Sequence, residues 1–149
     1  LFLLSFISYR LILKSKRLDD QEKVKQPILR VQADNPKNDL ILEVDAFLLA
    51  KSVGNYVEIS YLFQNEVHKK LVRSTLKRLV IQIDMHKNLM QCHQAFIVNM
   101  QKVSNLKGNA QSRHLEIQFL EDSVPVSRRF SAEIKNAFDQ LSLNLAEYP

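Results

Sequence analysis

Residues 56–72 read YVEISYLFQNEVHKKLV, and this segment predicts a β-hairpin. Its first half, residues 56–62, is rich in β-branched and aromatic side chains, which favour strands. Its second half, residues 67–72, supplies a partner strand, and the polar residues 64–66 supply the turn between them. The centre of the chain is therefore expected to be a β domain.

Further short strands are predicted on both sides of this hairpin. They cover residues 40–44, 94–98, 103–106 and 114–120, with a turn at residues 109–112 before the last one. In that last strand Leu115, Ile117 and Phe119 alternate with other residues, so they are expected to share one face of a sheet.

Two helices are predicted to interrupt the strands, because apolar residues recur with the spacing i, i+3, i+4, i+7. The residues with this spacing are Leu76, Leu79, Val80 and Ile83 in the first helix, and Ile134, Ala137, Phe138 and Leu141 in the second. Ser74 or Thr75 is expected to cap the first helix, and Ser131 the second. Glu133 then lies in the first turn, where a negative charge is favourable.

The N-terminal region differs in character from the rest. Residues 1–13, LFLLSFISYRLIL, are apolar and precede the basic run KSKR, which resembles the cytoplasmic end of a transmembrane helix. Thirteen residues are too few to span a bilayer, and the chain starts with Leu1, so we expect further residues upstream. Residues 1–18 are predicted as this membrane segment, 19–38 as a linker that contains a short strand at 28–31, and 39–149 as the folded domain.

Charge and composition limit the possible functions. The net charge is +5, but residues 1–18 carry +4 of it and the remainder only +1, so any DNA contact needs locally placed cations. Two glycines exclude a glycine-rich phosphate cradle. The single cysteine, Cys92, excludes an internal disulfide and fits a reducing compartment.

Nothing in the sequence indicates an enzyme, a cofactor or a metal site. The GxSxG, HExxH and Walker motifs are absent from the sequence, and its histidines, at 68, 86, 93 and 114, lack zinc-ligand spacing. Cys92 and His93 adjoin, but neighbours in a strand point to opposite faces, which argues against a catalytic pair. A small hydrolase would need a pocket with a nucleophile beside a base.

Three groups of residues are candidates for nucleic-acid binding. Five cations lie within ten residues that contain no acid: Lys69, Lys70, Arg73, Lys77 and Arg78. The second group is Arg128-Arg129, whose guanidinium groups can bind a phosphate or read guanine. The third is His93-Gln94, whose glutamine can pair with adenine. Taken alone, the cations also fit a solvated surface, and residues 93–99 also fit a core strand.

Four motifs in the right order make residues 39–141 resemble the LytTR DNA-binding domain. They are Gly54-Asn55-Tyr56-Val57, Arg73-Ser74-Thr75-Leu76, His93-Gln94-Ala95-Phe96-Ile97-Val98-Asn99 and Val124-Pro125-Val126-Ser127-Arg128-Arg129-Phe130. The resemblance implies a mainly β, elongated domain of small antiparallel sheets with two helices, preceded here by the end of a transmembrane helix. It also implies double-stranded DNA as the partner. Loops would enter successive major grooves, and homodimers would bind direct repeats and bend them.

The resemblance also assigns roles to individual residues. It places Gln94 at the base-reading position, Arg129 with Arg128 at a second contact, and Asn55 or Tyr56 in the first contacting loop. His93 is expected to position the loop. The family usually has Arg-Ser where this chain has Gln94-Ala95, and a neutral glutamine loses one charge-assisted bond to DNA. We therefore hypothesise a preference shifted from guanine towards adenine.

The sequence thus predicts a transcription regulator tethered to the cytoplasmic membrane, with its DNA-binding domain in the cytoplasm. No receiver domain fits before residue 39, so control is expected through the membrane segment or an upstream signalling partner. The alternative is an interaction or signalling module on a membrane stalk that has lost DNA binding, which the near-neutral domain charge and Gln94-Ala95 favour. DNA binding requires Asn55, Gln94 and Arg129 to lie along one ridge.

Overall fold

The computed structural model describes residues 26–147, which form ten strands and two α-helices in three antiparallel sheets. The strands are β1 (Ile28–Val31), β2 (Leu40–Glu43), β3 (Phe47–Val53), β4 (Tyr56–Phe63), β5 (Glu66–Val72), β6 (Leu89–His93), β7 (Phe96–Asn99), β8 (Val103–Asn109), β9 (Ser112–Ile117) and β10 (Val124–Val126). The helices are α1 (Leu76–Gln82) and α2 (Ser131–Ala146). The mainly β fold of small antiparallel sheets with two helices is confirmed.

A five-stranded sheet, in the order β5-β4-β3-β7-β6, lies at the centre of the molecule. One face packs against the two-stranded β1-β2 sheet and α1, through a core that includes Leu29, Ile59 and Leu79. The other face packs against the β10-β9-β8 sheet and α2, through a core that includes Leu115 and Ile134. Both faces of the central sheet are therefore covered, while its ends carry loops.

The predicted central hairpin is confirmed as β4 and β5. They pair antiparallel from Val57 opposite Val72 to Phe63 opposite Glu66. The two residues between them, Gln64 and Asn65, have φ of 52° and 62°. A two-residue turn with positive φ at both positions is common in β-hairpins, because its twist matches the twist of the flanking strands.

Half of the predicted linker belongs to the folded unit. Strand β1 pairs with β2, and its residues Leu29 and Val31 are buried. Asp39 closes the loop between these strands, since it accepts hydrogen bonds from the Ala33 N–H (2.9 Å) and from Arg30 Nε (2.7 Å). Both bonds lower the pKa of the Asp39 carboxyl group, and the bond from Ala33 has the larger effect. Strand β1, which lies in the predicted linker at 19–38, thus packs with the sheets that follow it.

Three local predictions are wrong. The strand expected at 94–98 begins only at Phe96, because Gln94 and Ala95 form the turn between β6 and β7. Phe119 has φ of 68° and is 59% exposed, because the chain turns away after Ile117. Ser131 does not cap α2 but lies inside it.

Helix α1 begins as predicted, with Thr75 as its cap. The Arg78 N–H donates to Thr75 Oγ1 at 3.2 Å, which satisfies one of the helix's unpaired amides. No helix within residues 26–147 has the length and apolarity needed to cross a membrane. The predicted membrane segment, residues 1–18, lies outside the described residues.

Candidate nucleic-acid interface

Two turns meet at one end of the central sheet. The first is Gly54-Asn55, between β3 and β4, and the second is Gln94-Ala95, between β6 and β7. Because β3 and β7 are neighbours, with Lys51 opposite Phe96, their turns lie side by side. The Ser52 N–H donates to the Ala95 carbonyl at 2.9 Å, which fixes one turn to the other.

A third segment joins this end from the neighbouring sheet. The Ser127 N–H donates to the Cys92 carbonyl at 2.9 Å, so the chain leaving β10 runs beside the end of β6. Arg128 and Arg129 follow directly in a short 3-10 helix. We call the surface formed by Asn55, Tyr56, His93, Gln94, Arg128 and Arg129 the reading ridge.

The reading ridge is wide enough to face a DNA groove. It extends across β4, β3, β7 and β6, and neighbouring strands are about 4.8 Å apart, so it spans roughly 15 Å before Arg128 and Arg129 are added. The major groove of B-DNA is about 12 Å wide. The structure therefore brings together Asn55, Gln94 and Arg129, as the predicted function requires.

The turn that carries Gln94 is closed by the His93 side chain. The Ala95 N–H donates to His93 Nδ1 at 3.1 Å, and the imidazole packs edge-on against Phe96 with ring centroids 5.7 Å apart. Gln91 Nε2 donates to the His93 carbonyl at 3.2 Å. Gln94 itself is exposed at the tip. An Nδ1 that accepts a hydrogen bond places the proton of a neutral imidazole on Nε2.

The first turn depends on Gly54, whose φ is 58°. Glycine at the first central position of a two-residue hairpin adopts such a conformation without strain. Asn55 is exposed beside it, and Tyr56 is 39% exposed at the start of β4. Both side chains are thus held outward by a turn whose shape the glycine allows.

Arg128 and Arg129 are exposed at the far side of the ridge. The guanidinium carbon of Arg129 lies 5.4 Å from the centre of the Phe130 ring. Within residues 26–147 neither arginine pairs with a carboxylate at ion-pair distance. Their donors are accordingly open to an external acceptor such as a base edge or a phosphate.

The predicted cation cluster is divided by the fold. Asp34 accepts from both Arg73 Nε (3.2 Å) and Arg78 Nη1 (3.1 Å), and Lys69 lies 3.9 Å from Glu58. Lys70 and Lys77 are exposed and have no carboxylate partner in the described part of the chain. Only these two of the five cations are fully available to DNA.

Cys92 lies directly behind the reading ridge and is buried in the second core. Its Sγ is 3.8 Å from the carbonyl oxygens of Phe96 and Pro125. Burial raises the pKa of the thiol to about 12, so it stays protonated at neutral pH. A buried, protonated thiol is a poor nucleophile. The Cys92 side chain therefore contributes packing rather than reactivity.

Two contributors to the ridge were not predicted from the sequence. One is Gln91, whose amide holds the His93 carbonyl, and the other is the Ser127 N–H that attaches the arginine segment. Gln91 lies two positions before His93, and side chains with that spacing share one face of a strand. This spacing is the feature of the sequence that could have indicated the contact. A backbone contact such as that of Ser127 leaves no signal in the side-chain pattern.

Comparison with known proteins agrees with this geometry. The family model of the LytTr DNA-binding domain matches residues 38–139. The fold is similar to the LytTr DNA-binding domain of a Bacillus cereus protein described as a methyl-accepting/DNA response regulator, with a TM-score of 0.58 and 11% identity over 75% of this chain and 96% of that chain. No protein with a curated description matches the chain. The chain belongs to the LytTR family of DNA-binding domains.

Proposed function

We propose that this protein is a sequence-specific transcription regulator that reads double-stranded DNA with the reading ridge. The observation that carries the proposal is the convergence of Asn55, Gln94 and Arg129 on exposed segments at one end of one sheet. Backbone hydrogen bonds fix these segments to one another, from Ser52 to Ala95 and from Ser127 to Cys92. The side chains themselves are left open for DNA, with loops rather than a helix entering successive major grooves.

The chemistry of the ridge fits base recognition. The Gln94 amide can donate to and accept from the N6 and N7 edge of adenine, and Arg129 can donate two bonds to the O6 and N7 edge of guanine. Asn55 offers a second amide. Lys70 and Lys77 supply contacts to phosphate, which strengthen binding without reading sequence.

Selection of bound DNA from a random pool, with the full chain, tests this function. We expect an enriched motif for the wild type, and for Gln94→Arg a change from adenine to guanine at one position, because arginine reads guanine bidentately. Gln101→Arg is the matched control, since it adds the same charge at the opposite end of the sheet. An unchanged motif in Gln94→Arg would remove Gln94 from base reading.

We also propose that two copies bind adjacent direct repeats. The family resemblance supports this arrangement, and a ridge of roughly 15 Å covers less than one helical turn of about 34 Å. Analytical ultracentrifugation on DNA with one or two copies of the selected motif measures the stoichiometry. One protein on the two-copy DNA would contradict the proposal.

The proposed regulator is tethered to the cytoplasmic membrane by residues 1–18, with its DNA-binding domain in the cytoplasm. Support comes from the apolar run at 1–13 followed by KSKR. Signals would then arrive through the membrane segment or an upstream partner. No catalytic activity is expected. Recovery of the full chain in the membrane fraction of cells, resistant to high-salt washing, tests the tether, and release by salt alone would contradict it.

An interaction module that does not bind DNA is the second candidate. The ion pairs of Asp34 with Arg73 and Arg78 favour it, since they neutralise part of an already nearly neutral domain. Binding to mixed DNA sequences at two salt concentrations separates the candidates. DNA-binding proteins lose affinity steeply as salt rises, whereas absence of binding at low salt would support the interaction module.

A further inference from the structure

The side chain of Arg113 connects strand β9 to the start of α2. Arg113 lies opposite Val126 of β10 and Gly108 of β8, at the end of the three-stranded sheet from which the chain leaves for the reading ridge. Its Nη1 donates to the Ser131 carbonyl at 2.7 Å and to Ser131 Oγ at 2.8 Å. Ser131 is the first residue of α2. One side chain of β9 therefore holds the helix at the point where it begins.

Ser131 extends this connection with its own hydroxyl group. The hydroxyl accepts from Arg113 and donates to the Ala110 carbonyl at 3.4 Å, in the turn between β8 and β9. Ser131 is only 6% exposed, and hydrogen bonds shielded from water are electrostatically stronger than those in water. The serine that the sequence suggested as a helix cap thus bonds to Arg113 and to the hairpin beside it.

The Arg113–Ser131 contact lies at one end of the segment that carries the two arginines of the reading ridge. This segment, residues 127–131, is attached at its first residue by the backbone bond from Ser127 to β6 and at its last by Ser131. Between them, the Phe130 N–H donates to the Ser127 carbonyl at 3.0 Å and closes the 3-10 turn. Arg128 and Arg129 are therefore held between two fixed points.

The β8-β9 hairpin that presents Arg113 has a shape set by local contacts. Asn109 Oδ1 accepts from the N–H groups of Gln111 (3.0 Å) and Ser112 (3.2 Å), which closes the turn. Gly108, opposite Arg113, has φ of 89°, and a Cβ at this position would collide with the Ser112 carbonyl. The backbone from which the Arg113 side chain extends is thus well defined.

Arg113 makes this contact with neutral groups. It is half-buried and pairs with no carboxylate at ion-pair distance within residues 26–147. The guanidinium group is planar, so its N–H groups point in fixed directions, whereas a lysine ammonium is a flexible point charge. The contact with Ser131 therefore depends on the shape of the arginine and not only on its charge.

We propose that Arg113 is a positioning residue for base recognition, which holds Arg129 in the orientation that reads a base and does not itself contact DNA. A contact that is ordered before binding loses less conformational entropy when the complex forms. Without Arg113, one end of the 3-10 turn is released and Arg129 must be ordered by the DNA. The inference rests on the proposed function for its effect on DNA, whereas the ordering itself can be measured without DNA.

Selection of bound DNA and titrations with the full chain test the proposal. Arg113→Met should relax base preference at the same motif position as Arg129→Ala and leave the position read by Gln94 unchanged. The ratio of affinities for the selected motif and a scrambled sequence should fall by about tenfold, which is within the discrimination that one bidentate contact provides. Arg113→Met combined with Arg129→Ala should lose no more specificity than Arg129→Ala alone.

Three further variants separate position from charge. Arg113→Lys keeps the charge but not the planar group, so the affinity ratio should still fall. Ser131→Ala removes the hydroxyl acceptor without any change of charge and should lower the ratio by less, because the Ser131 carbonyl remains. Lys107→Met is the matched control, since it removes one cation from the neighbouring strand, where Lys107 pairs with Glu116 at 2.6 Å. It should leave the ratio unchanged.

Nuclear magnetic relaxation of backbone amides tests the ordering in the protein without DNA. The order parameters of Arg128 and Arg129 should fall below the rigid value of about 0.85 in Arg113→Met and in Ser131→Ala, but not in Lys107→Met. Urea denaturation verifies that each variant is folded. If Arg113→Met does not fold, Ser131→Ala supplies both measurements.

Two kinds of result would overturn the proposal. One is an affinity ratio or an order parameter that does not change in the folded Arg113 and Ser131 variants. The other is a double variant that loses more specificity than Arg129→Ala alone, because Arg113 would then contact DNA itself. A wild type that enriches no motif would instead refute the proposed function, and the relaxation measurement would still decide whether Arg113 orders the arginine segment.

Discussion

The two ends of strand β7 use polar side chains in opposite ways. At the reading ridge, backbone bonds hold the turns and Gln94 projects into solvent. At the other end Asn99 is completely buried, and its Nδ2 donates to the carbonyls of Val44 (3.2 Å) and Phe47 (2.9 Å). Its Oδ1 accepts from the Gln101 N–H at 3.1 Å. The Asn99 amide thus stabilises the fold, whereas the Gln94 amide remains exposed.

Gln94 and Asn99, five positions apart, thus differ in what they contribute, one as a proposed DNA contact and the other to stability. A buried carbonyl that loses its donor costs folding free energy, whereas an exposed amide contributes little to the folded state. Substitutions at the two ends should therefore change different measured quantities. The family motif that spans residues 93–99 thus contains both the exposed turn proposed to contact DNA and a buried structural residue.

The largest expected effect is on stability, for Asn99→Ala. The change removes three hydrogen bonds of a buried side chain, to the carbonyls of Val44 and Phe47 and from the Gln101 N–H, so we expect a loss of about 3 kcal/mol in the free energy of unfolding. Urea denaturation measures it. Asn38→Ala, at an exposed position, is the control and should change stability by no more than about 0.5 kcal/mol. Equal losses for both would contradict the role given to Asn99.

Next in size is the loss of DNA affinity for Arg129→Ala. Removal of a bidentate contact to guanine should weaken binding to the selected motif by about 1–3 kcal/mol and relax preference at that position. Arg30→Ala, whose guanidinium pairs with Asp39 on the β1-β2 sheet, is the matched charge control. Titrations with the selected motif and with a scrambled sequence measure the two affinities. An equal loss of affinity for both DNAs would indicate that Arg129 contacts a phosphate rather than a base.

A smaller effect is expected when the closure of the Gln94 turn is disturbed. His93→Leu removes the acceptor for the Ala95 N–H, whereas His93→Asn offers a side-chain oxygen in the place of Nδ1. We expect His93→Leu to lose specific affinity by about 1 kcal/mol and His93→Asn to recover most of it. Identical affinities for the two variants would show that the hydrogen bond does not hold the turn.

The smallest expected effect concerns the salt dependence of binding. Lys77→Ala should make the log–log salt slope shallower by about one unit, because a lysine that pairs with no carboxylate among the described residues can contact a phosphate. Lys69→Ala should change the slope less, since Lys69 already lies near Glu58. Titrations at several salt concentrations measure both, and a slope unaffected by Lys77→Ala would place that residue off the DNA.

Local patterns predicted most strands, and the exceptions have physical causes. The β4-β5 hairpin was predictable because its first strand is rich in β-branched and aromatic residues and its turn is polar. Strand β3, FLLAKSV, was not predicted, since Phe47, Leu48 and Ala50 are buried on both faces of a central strand and leave no clear alternation. The turn at Gln94-Ala95 contains neither glycine nor proline, and the His93 side chain closes it instead.

The candidate site was predictable only in part. The motifs supplied Asn55, Gln94 and Arg129, and the fold brings them to one end of one sheet. The division of the cation cluster could not be foreseen, because Asp34 is 39 residues from Arg73 and 44 from Arg78 in sequence. Pairings over such distances depend on the tertiary fold rather than on local spacing.

The position of Asp34 between two guanidinium groups gives the domain a built-in counterion. If DNA approaches Arg73 and Arg78, its phosphates must displace a carboxylate that is already in place, so association with random sequence gains little from these two residues. A domain that searches a large excess of wrong sites benefits from such restraint. Asp34→Asn would free both arginines from their ion pairs and should strengthen non-specific DNA binding relative to specific binding.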